Sequence, residues 1–257
     1  MALLDKNKNA TRYWVIIPAA GVGQRMGVAR PAKQYMSIAD TTVIQASISC
    51  FLRHAKISAI VVALHAQDQS WSRLKIPTDK PIYTVTGGET RASSVQLALQ
   101  RVMQEAKDDD FVLVHDAARP CLQSSDLNRL MQELAEDEVG GILAMPISDT
   151  IKQAKTNLTE NKQINSGNAE ITTTIDRSSL WKAFTPQMFR VAKLNKALKY
   201  CFENNIQITD EASALEALGL AVKLVQGRED NIKITSCLLY TSPSPRDQRG
   251  SRMPSSA

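Results

Sequence analysis

The chain has 257 residues, of which 43% are hydrophobic, so it can bury a sizeable core in one domain or in two small ones. No apolar run approaches the roughly 18 residues of a membrane span, and residues 1–12 lack the apolar segment of a signal peptide, so we expect a cytoplasmic protein without membrane contact. The net charge of +5 is modest. This excess of positive charge suits an anionic small substrate as easily as nucleic acid, and no basic run with interleaved aromatic residues favours nucleic acid.

Apolar runs alternate with helical segments along most of the chain. In chain order the predicted elements are a strand at 13–18, a helix at 43–54, strands at 57–64 and 82–85, a helix at 93–105, a strand at 111–115, a helix at 126–136, a strand at 140–146, helices at 191–204 and 210–218, and a strand at 221–225. The continuous apolar run at 57–64 is typical of a strand covered on both faces. The order predicts an α/β fold of three layers, in which an open, mostly parallel sheet lies between helices.

A projecting arm is predicted at about 150–176, where two half-polar strands, 150–154 and 170–176, flank a polar link that cannot bury anything. Such a pair is only marginally stable alone, so we expect it to pack on a partner subunit; a disordered surface insertion is the alternative. Residues 1–235, including the arm, are expected to form one domain. The tail at 236–257 is rich in serine, proline and arginine without periodicity, and we expect it to be disordered and non-native.

A phosphate-binding loop is predicted after the first strand. Its small residues, including Gly21 and Gly23, let backbone N–H groups approach an anion without side chains in the way. Arg25 and Lys33 then add full charges where phosphate oxygens would lie. Two common phosphate motifs are excluded, since Met26 stands where a dinucleotide fingerprint needs glycine and no Gly-Lys-Ser/Thr triplet follows the glycines.

A second glycine-containing turn follows the strand predicted at 82–85. Gly87 and Gly88 allow close approach of the backbone to a ligand. Ser93 or Ser94 is expected either to cap the next helix or to donate a hydrogen bond to that ligand, and both alternatives stay open.

Asp116 stands at the carboxyl end of the strand predicted at 111–115, where open α/β sheets bind ligands. Beside phosphates it is a natural Mg²⁺ ligand, because that ion takes one or two carboxylates and completes its shell with phosphate oxygens and water. Arg119 offers a fork for a second phosphate, and a structural pair of Asp116 with Arg119 is the alternative. His115 has no plausible metal partner, so we expect it to be structural.

Two late segments complete the set of candidates. Thr209 opens a Thr-Asp-Glu-Ala-Ser-Ala run that is either part of a site or only the start of a helix. The segment at 227–235 brings carboxylate, amide and ammonium groups together in one short element, among them that of Lys233. A solvated charged loop is the alternative for this second segment.

Taken together, these segments resemble 2-C-methyl-D-erythritol 4-phosphate cytidylyltransferases over roughly residues 12–235. The matching text is Pro18-Ala19-Ala20-Gly21 through Arg25-Met26, Lys33-Gln34-Tyr35, Gly87-Gly88 with Arg91, Val114-His115-Asp116-Ala117-Ala118-Arg119-Pro120, Gly140-Gly141, Asp149-Thr150, Asp176-Arg177, Thr209-Asp210-Glu211-Ala212-Ser213-Ala214 and Asp230-Asn231-Ile232-Lys233. The resemblance implies a Rossmann-like nucleotidyltransferase domain with a mostly parallel sheet and a β-arm, acting on CTP and a polyol phosphate with Mg²⁺ as cofactor.

The resemblance also implies a role for each position. The cytosine and ribose of CTP would be held by Ala19, Ala20, Gly21, Gly23, Gly88 and Ser94. The catalytic set would be Arg25 and Lys33 on the triphosphate, Lys233 on the α-phosphate and Arg177 on the methylerythritol phosphate. Asp116 would bind Mg²⁺, and the remaining substrate contacts would come from Arg119, Thr150 and Thr209. Arg177 would serve the neighbouring subunit's site in a homodimer joined by the arm.

The sequence departs from the family's usual pattern in three places, and two alternatives to the implied activity stay open. Ala32 makes the loop before Lys33 one residue longer, Glu89 stands where aspartate is common, and the tail replaces a C-terminal helix. One alternative is a ribitol 5-phosphate cytidylyltransferase, which shares the loop and the nucleotide. The other is a module that binds CTP without turnover, because the C-terminal helix is missing.

Overall fold

The computed structural model describes residues 11–21, 32–155 and 169–234. The candidate site residues Gly23 and Arg25 lie outside these ranges, as do the link of the predicted arm and the tail at 236–257. None of the helices in the described ranges combines the length and the hydrophobicity that crossing a membrane requires.

Strands and helices alternate in the predicted order. The strands are β1 (Tyr13–Ala19), β2 (Ser37–Ile38), β3 (Thr41–Thr42), β4 (Ile57–Leu64), β5 (Ile82–Thr86), β6 (Phe111–Val114), β7 (Gly140–Pro146), β8 (Ile151–Ala154), β9 (Ile171–Ile175), β10 (Trp181–Arg190) and β11 (Lys223–Gln226). The helices are α1 (Val43–Arg53), α2 (Arg91–Met103), α3 (Ser124–Glu133), α4 (Val191–Glu203) and α5 (Glu211–Ala217). Each predicted strand and helix is confirmed, with shifts of one to three residues at most ends.

A mixed sheet forms the centre of the fold, with the strand order β11-β7-β10-β6-β1-β4-β5. β1 pairs in parallel with both β4 and β6, β4 with β5, and β11 with β7. β10 is antiparallel to both of its neighbours, β6 and β7. The expected mostly parallel sheet is therefore confirmed, and β10 is a central strand that the sequence had not predicted.

The sheet is buried on both faces, as the composition of β1 illustrates. Because side chains alternate along a strand, Val15 and Ile17 join one apolar cluster whereas Trp14 and Ile16 join the other. The first cluster includes apolar residues of α1 and α3, and the second includes those of α2, α4 and α5. The result is the predicted three-layer arrangement.

The predicted arm is present as a separate two-stranded sheet. β8 and β9 are antiparallel, with Ile151 opposite Ile175 and Lys152 opposite Thr174. Most of their side chains are exposed, including that of Ile171, at 65%. The described part of the arm is therefore a β-ribbon with little core of its own.

Candidate functional site

A cavity of about 180 Å³ lies at the edge of the sheet where β1, β5 and β6 end. Because these strands are parallel in the sheet, the loops that follow them meet at one edge, which is the usual ligand site of open α/β sheets. The candidate site residues that line the cavity are Ala19, Ala20, Gly21, Lys33, Gly88, Ser94, Asp116 and Lys233. The structure thus brings together residues from four well-separated parts of the sequence.

The loops after β1 and β5 touch at Gly87. A Cβ atom on Gly87 would lie 2.5 Å from the Cβ atom of Ala20 and 2.8 Å from Oγ of Ser94, which is too close for any side chain. The Ser94 hydroxyl oxygen accepts a hydrogen bond from the backbone N–H of Gly88 at 3.1 Å. Glycine at position 87 therefore allows two cavity walls to approach, and Ser94 fixes the turn between them.

Helix α2 begins at Arg91, two residues before the predicted start, and its cap is Thr90. The Thr90 side chain accepts a hydrogen bond from the backbone N–H of Ser93 at 3.0 Å, and Oγ of Ser93 accepts one from that of Thr90 at 2.9 Å. This reciprocal capping box fixes the first turn of the helix. Ser93 therefore completes the cap, and neither of the two serines is the cap residue itself.

Gln34 anchors the segment that carries Lys33. Its side-chain amide is buried and donates a hydrogen bond to the backbone carbonyl of Ala19 at 2.9 Å. This bond attaches the short 3-10 turn Lys33–Tyr35 to the end of β1. Lys33 consequently lines the cavity although Ala32 lengthens the preceding loop.

Asp116 is the centre of the charged wall of the cavity. Its Oδ2 atom lies 2.8 Å from Nζ of Lys233 and 3.4 Å from Nε of Arg119, and its Oδ1 atom lies 3.1 Å from Nε of Arg91. Burial alone would raise the pKa of Asp116, but Arg91, Lys233 and Arg119 hold that pKa well below its ordinary value. The carboxylate is therefore ionised throughout the physiological pH range.

Arg91 joins Asp116 to a second carboxylate that the sequence had not linked to the site. Its two terminal nitrogens, Nη1 and Nη2, donate to Glu211 Oε1 at 2.6 Å and Oε2 at 3.0 Å. Burial alone would lower the pKa of Arg91, but Glu211 and Asp116 raise it above its ordinary value. Sequence reasoning named Arg91 and Glu211 only as parts of motifs, because 120 positions separate them.

His115 is structural, as expected, and it holds the turn that carries Asp116. Its Nε2 atom lies 3.0 Å from the Arg119 carbonyl oxygen, which can only accept, so Nε2 carries the proton. Nδ1 then accepts a hydrogen bond from the Thr185 hydroxyl at 3.0 Å, and that hydroxyl accepts one from the backbone N–H of Asp116 at 3.1 Å. Complete burial lowers the pKa of His115 to about 4, so the ring is neutral at pH 7.

Arg119 lies behind the cavity wall. It is 9% exposed, and its Nη1 atom donates to the backbone carbonyl of Asn231 at 2.7 Å. The backbone N–H of Ile234 donates to the carbonyl of Ala118 at 2.8 Å, and these two bonds hold the segment that carries Lys233 beside Asp116. The observed contacts of Arg119 therefore fit the alternative of a structural pair with Asp116. A contact between Arg119 and the substrate stays a prediction.

Of the candidate residues that the structure describes, those that do not line the cavity are Arg119, Thr150, Arg177 and Thr209. Thr150 and Arg177 are exposed at the base of the arm, where Arg177 donates a hydrogen bond to the carbonyl of Ser148. Thr209 is exposed one residue before Asp210, which caps α5. Their predicted roles in binding the acceptor substrate are therefore not decided by the position of the cavity.

A metal site in this cavity would rest on one carboxylate. Within the described ranges, no cluster of three or more histidine, cysteine, aspartate or glutamate side chains could hold an ion. Asp116 is ionised, and its Oδ1 atom has one charged partner, Arg91. This donor set fits Mg²⁺ that takes its remaining ligands from substrate phosphates and water.

Comparison with known proteins gives a consistent match along the chain. Residues 13–241 match the family model described as 2-C-methyl-D-erythritol 4-phosphate cytidylyltransferase. A protein of that name from Pseudomonas putida (strain GB-1) is 47% identical over 224 residues, which cover 87% of this chain and 90% of the relative. The crystal structure of a Francisella tularensis protein of the same name has a TM-score of 0.71 at 35% identity and covers 88% of this chain and 95% of that one. A 4-diphosphocytidyl-2C-methyl-D-erythritol synthase structure has a TM-score of 0.72 at 34% identity, with coverage of 93% and 96%.

Proposed function

This chain belongs to the 2-C-methyl-D-erythritol 4-phosphate cytidylyltransferase family, and we propose that it transfers the cytidylyl group of CTP to 2-C-methyl-D-erythritol 4-phosphate. The products are 4-diphosphocytidyl-2-C-methylerythritol and pyrophosphate. The observation that carries the proposal is the cavity wall in which Asp116 and Lys233 pair at 2.8 Å beside the small-residue loops after β1 and β5.

The nucleoside end of CTP is assigned to the wall with the smallest side chains. Ala19, Ala20, Gly21 and Gly88 leave room for a flat base and a ribose to approach the backbone. The Ser94 hydroxyl is already bonded to the N–H of Gly88, so its part is to shape this wall. Gly23 is included on the resemblance alone, since it lies outside the described residues.

The reaction requires positioning and charge stabilisation and no covalent protein intermediate. A phosphate oxygen of the acceptor attacks the α-phosphorus of CTP in line, a new P–O bond forms, and the bond to the β-phosphate breaks with release of pyrophosphate. Charge builds up on the oxygens around the α-phosphorus. Lys33 and Lys233 line the cavity and supply positive charge for these oxygens, with Arg25 added on the resemblance.

Mg²⁺ is assigned to Asp116 in this proposal. When bound, the ion neutralises phosphate charge and helps to fix the triphosphate. The contribution of the chain is an ionised carboxylate that is held in place by Arg91, Arg119 and Lys233.

The acceptor substrate is assigned to residues at the base of the arm. Thr150 and Arg177 flank the arm, and we propose that Arg177 serves the site of a second copy of the chain in a homodimer. Support for this assembly comes from the arm itself, because a ribbon with exposed apolar side chains such as Ile171 is marginal without a partner. Arg119 and Thr209 complete the proposed contacts.

Pyrophosphate release distinguishes this function from its alternatives. The protein is incubated with CTP, Mg²⁺ and either 2-C-methyl-D-erythritol 4-phosphate or ribitol 5-phosphate, and CTP binding is measured in parallel by calorimetry. We expect release with the methylerythritol substrate. Release with ribitol 5-phosphate alone would establish the related enzyme, and CTP binding without release from either substrate would establish a binding module.

A further inference from the structure

Glu211 is a fully buried carboxylate, and among the residues that the structure describes its hydrogen-bond partner is the guanidinium of Arg91. It stands in the first turn of α5, behind the charged wall of the cavity. Arg91 gives both terminal nitrogens to Glu211 and its Nε edge to Asp116 Oδ1, at 3.1 Å. One guanidinium therefore bridges the two carboxylates.

The start of α5 is fixed by residues other than Glu211. Asp210 accepts a hydrogen bond from the N–H of Ser213 at 3.0 Å and one from the Gln187 side chain at 2.8 Å. The same glutamine accepts one from the N–H of Ala212 at 3.0 Å. Because these bonds already cap the helix and attach it to β10, the Glu211 carboxylate is not needed for the cap.

Because both terminal nitrogens of Arg91 are bonded to Glu211, Asp116 receives one hydrogen bond from Arg91, through Nε. A guanidinium that lacked this partner would be free to turn and present two nitrogens to the Asp116 carboxylate, which is the preferred geometry of such pairs. Asp116 would then be held by an uncompensated Arg91 in addition to Lys233 and Arg119. Its Oδ1 atom would be less available to any incoming cation.

We propose that Glu211 is a positioning residue, which orients and neutralises Arg91 so that Asp116 Oδ1, which accepts a single hydrogen bond from Arg91, can still bind the Mg²⁺ that accompanies CTP. This inference rests on the proposed function. It extends that function from the cavity wall to a residue behind it that contacts neither substrate nor metal.

The test is the variant Glu211→Gln, which keeps the size of the side chain and removes its charge. The Mg²⁺ concentration for half-maximal rate is expected to rise about 10–100-fold, as for other residues that support a metal ligand. Calorimetry is expected to show that CTP binding without Mg²⁺ changes less than about 2-fold, while the gain in affinity on adding Mg²⁺ is largely lost.

Asp110→Asn is the matched control. Asp110 is 1% exposed and pairs with Arg12 Nε at 3.1 Å. It immediately precedes the first residue of β6, at the end of the strand that is away from the cavity. We expect it to lower the melting temperature as Glu211→Gln does and to leave the Mg²⁺ requirement unchanged. The double variant Arg91→Gln/Glu211→Gln removes both charges. We expect it to need less Mg²⁺ than Glu211→Gln does, and an amount closer to that of the wild type.

An unchanged Mg²⁺ requirement in a folded Glu211→Gln protein would overturn the proposal and leave Glu211 a structural residue. The proposal would also be overturned if the double variant required as much Mg²⁺ as Glu211→Gln does. If Glu211→Gln fails to fold, Glu211→Asp provides the same comparison, because the shorter carboxylate cannot reach both nitrogens in the same geometry. A wild-type protein without pyrophosphate release would refute the proposed function, whereas the calorimetric comparison would still decide the part played by Glu211.

Discussion

At the scale of single residues, Lys233 combines accessibility with a direct contact to the charged wall. Its side chain is 40% exposed, and its ammonium lies 2.8 Å from Asp116 Oδ2. We expect Lys233→Ala to lower kcat by about 10²–10³-fold, because it removes a cation from developing charge on the phosphate oxygens. Lys223→Ala is the control, since Lys223 is an exposed lysine paired with Asp137. Near-native turnover of a folded Lys233→Ala enzyme would exclude this lysine from the mechanism.

Gly87 offers a test of how closely two cavity walls must approach. Gly87→Ala would place a Cβ atom 2.5 Å from that of Ala20, so the loops after β1 and β5 must separate. The KM for CTP is expected to rise about 10-fold or more, because small displacements at a site have large effects. In Gly227→Ala the new atom would meet its nearest neighbour at 3.4 Å, an ordinary contact, and the KM is expected to stay within about 2-fold. Equal KM values for the two variants would show that the approach at Gly87 is not needed for binding.

Several site residues could be predicted from the sequence because they follow a general rule of position. Gly88 and Asp116 follow predicted parallel strands, and the carboxyl ends of such strands meet at one edge. The bridge from Asp116 through Arg91 to Glu211 could not be predicted, because it joins loops that only the folded chain brings together. A polar run at the start of a helix indicates a cap equally well, so the sequence left the start of α5 undecided.

At the scale of elements, the periodic segments were predictable and β10 was not. Strands such as β4 and helices such as α1 have long apolar patterns that need no tertiary information. β10 contains Pro186, and proline argues against a central strand because it cannot donate to the ladder. The structure places this proline where the pairing of β10 with β7 shifts register, between Ala183 and Gln187. A local irregularity thus accommodates a residue that the rule excludes.

The turn before β7 is stabilised by the Asp137 carboxylate, and this stabilisation changes with pH. Asp137 accepts hydrogen bonds from the N–H groups of Val139 at 2.8 Å and Gly140 at 2.6 Å, and Lys223 lies 2.7 Å away. Burial alone would raise the pKa of Asp137, but Lys223 and the two N–H groups hold it below its ordinary value of 3.8. The stabilisation is therefore complete above pH 3.8 and is lost as the pH falls through the lowered pKa.

Asp137→Asn is accordingly expected to lower the free energy of unfolding by about 1 kcal/mol at pH 7, because the amide still accepts the two bonds without charge. The exposed Lys223 adds little to this difference. Urea unfolding at a series of pH values measures this free energy. The difference in the free energy of unfolding between the wild type and the variant is expected to become smaller below pH 3.8. Asp230→Asn, at an exposed ion pair, is the control with the smaller effect at pH 7. A difference in the free energy of unfolding that became larger in acid would contradict the sign of this effect.

At the scale of the whole molecule, the cavity and the arm differ in what holds them in place. The loops around Asp116 emerge from a sheet that is covered on both faces, so they are fixed by the core. In the described ranges, β8 and β9 pair only with each other. The three layers thus account for the nucleotide side of the site, and the acceptor side depends in our proposal on a second copy of the chain.

Removing the arm tests whether it joins two subunits without affecting CTP binding. Replacing residues 151–175 by a short glycine-serine linker keeps Thr150 and Arg177 in the chain, and we expect it to yield a monomer with little activity. Arg177 would then have no neighbouring site to serve, whereas the core that holds Asp116 is untouched, so CTP binding by calorimetry is expected to stay within about 5-fold of the wild type. Deletion of 157–163 alone is the matched control, and it should leave the dimer intact because the paired strands remain. Molar mass measured during size-exclusion chromatography decides the matter, since an armless protein that is still a dimer would show that the arm does not join the subunits.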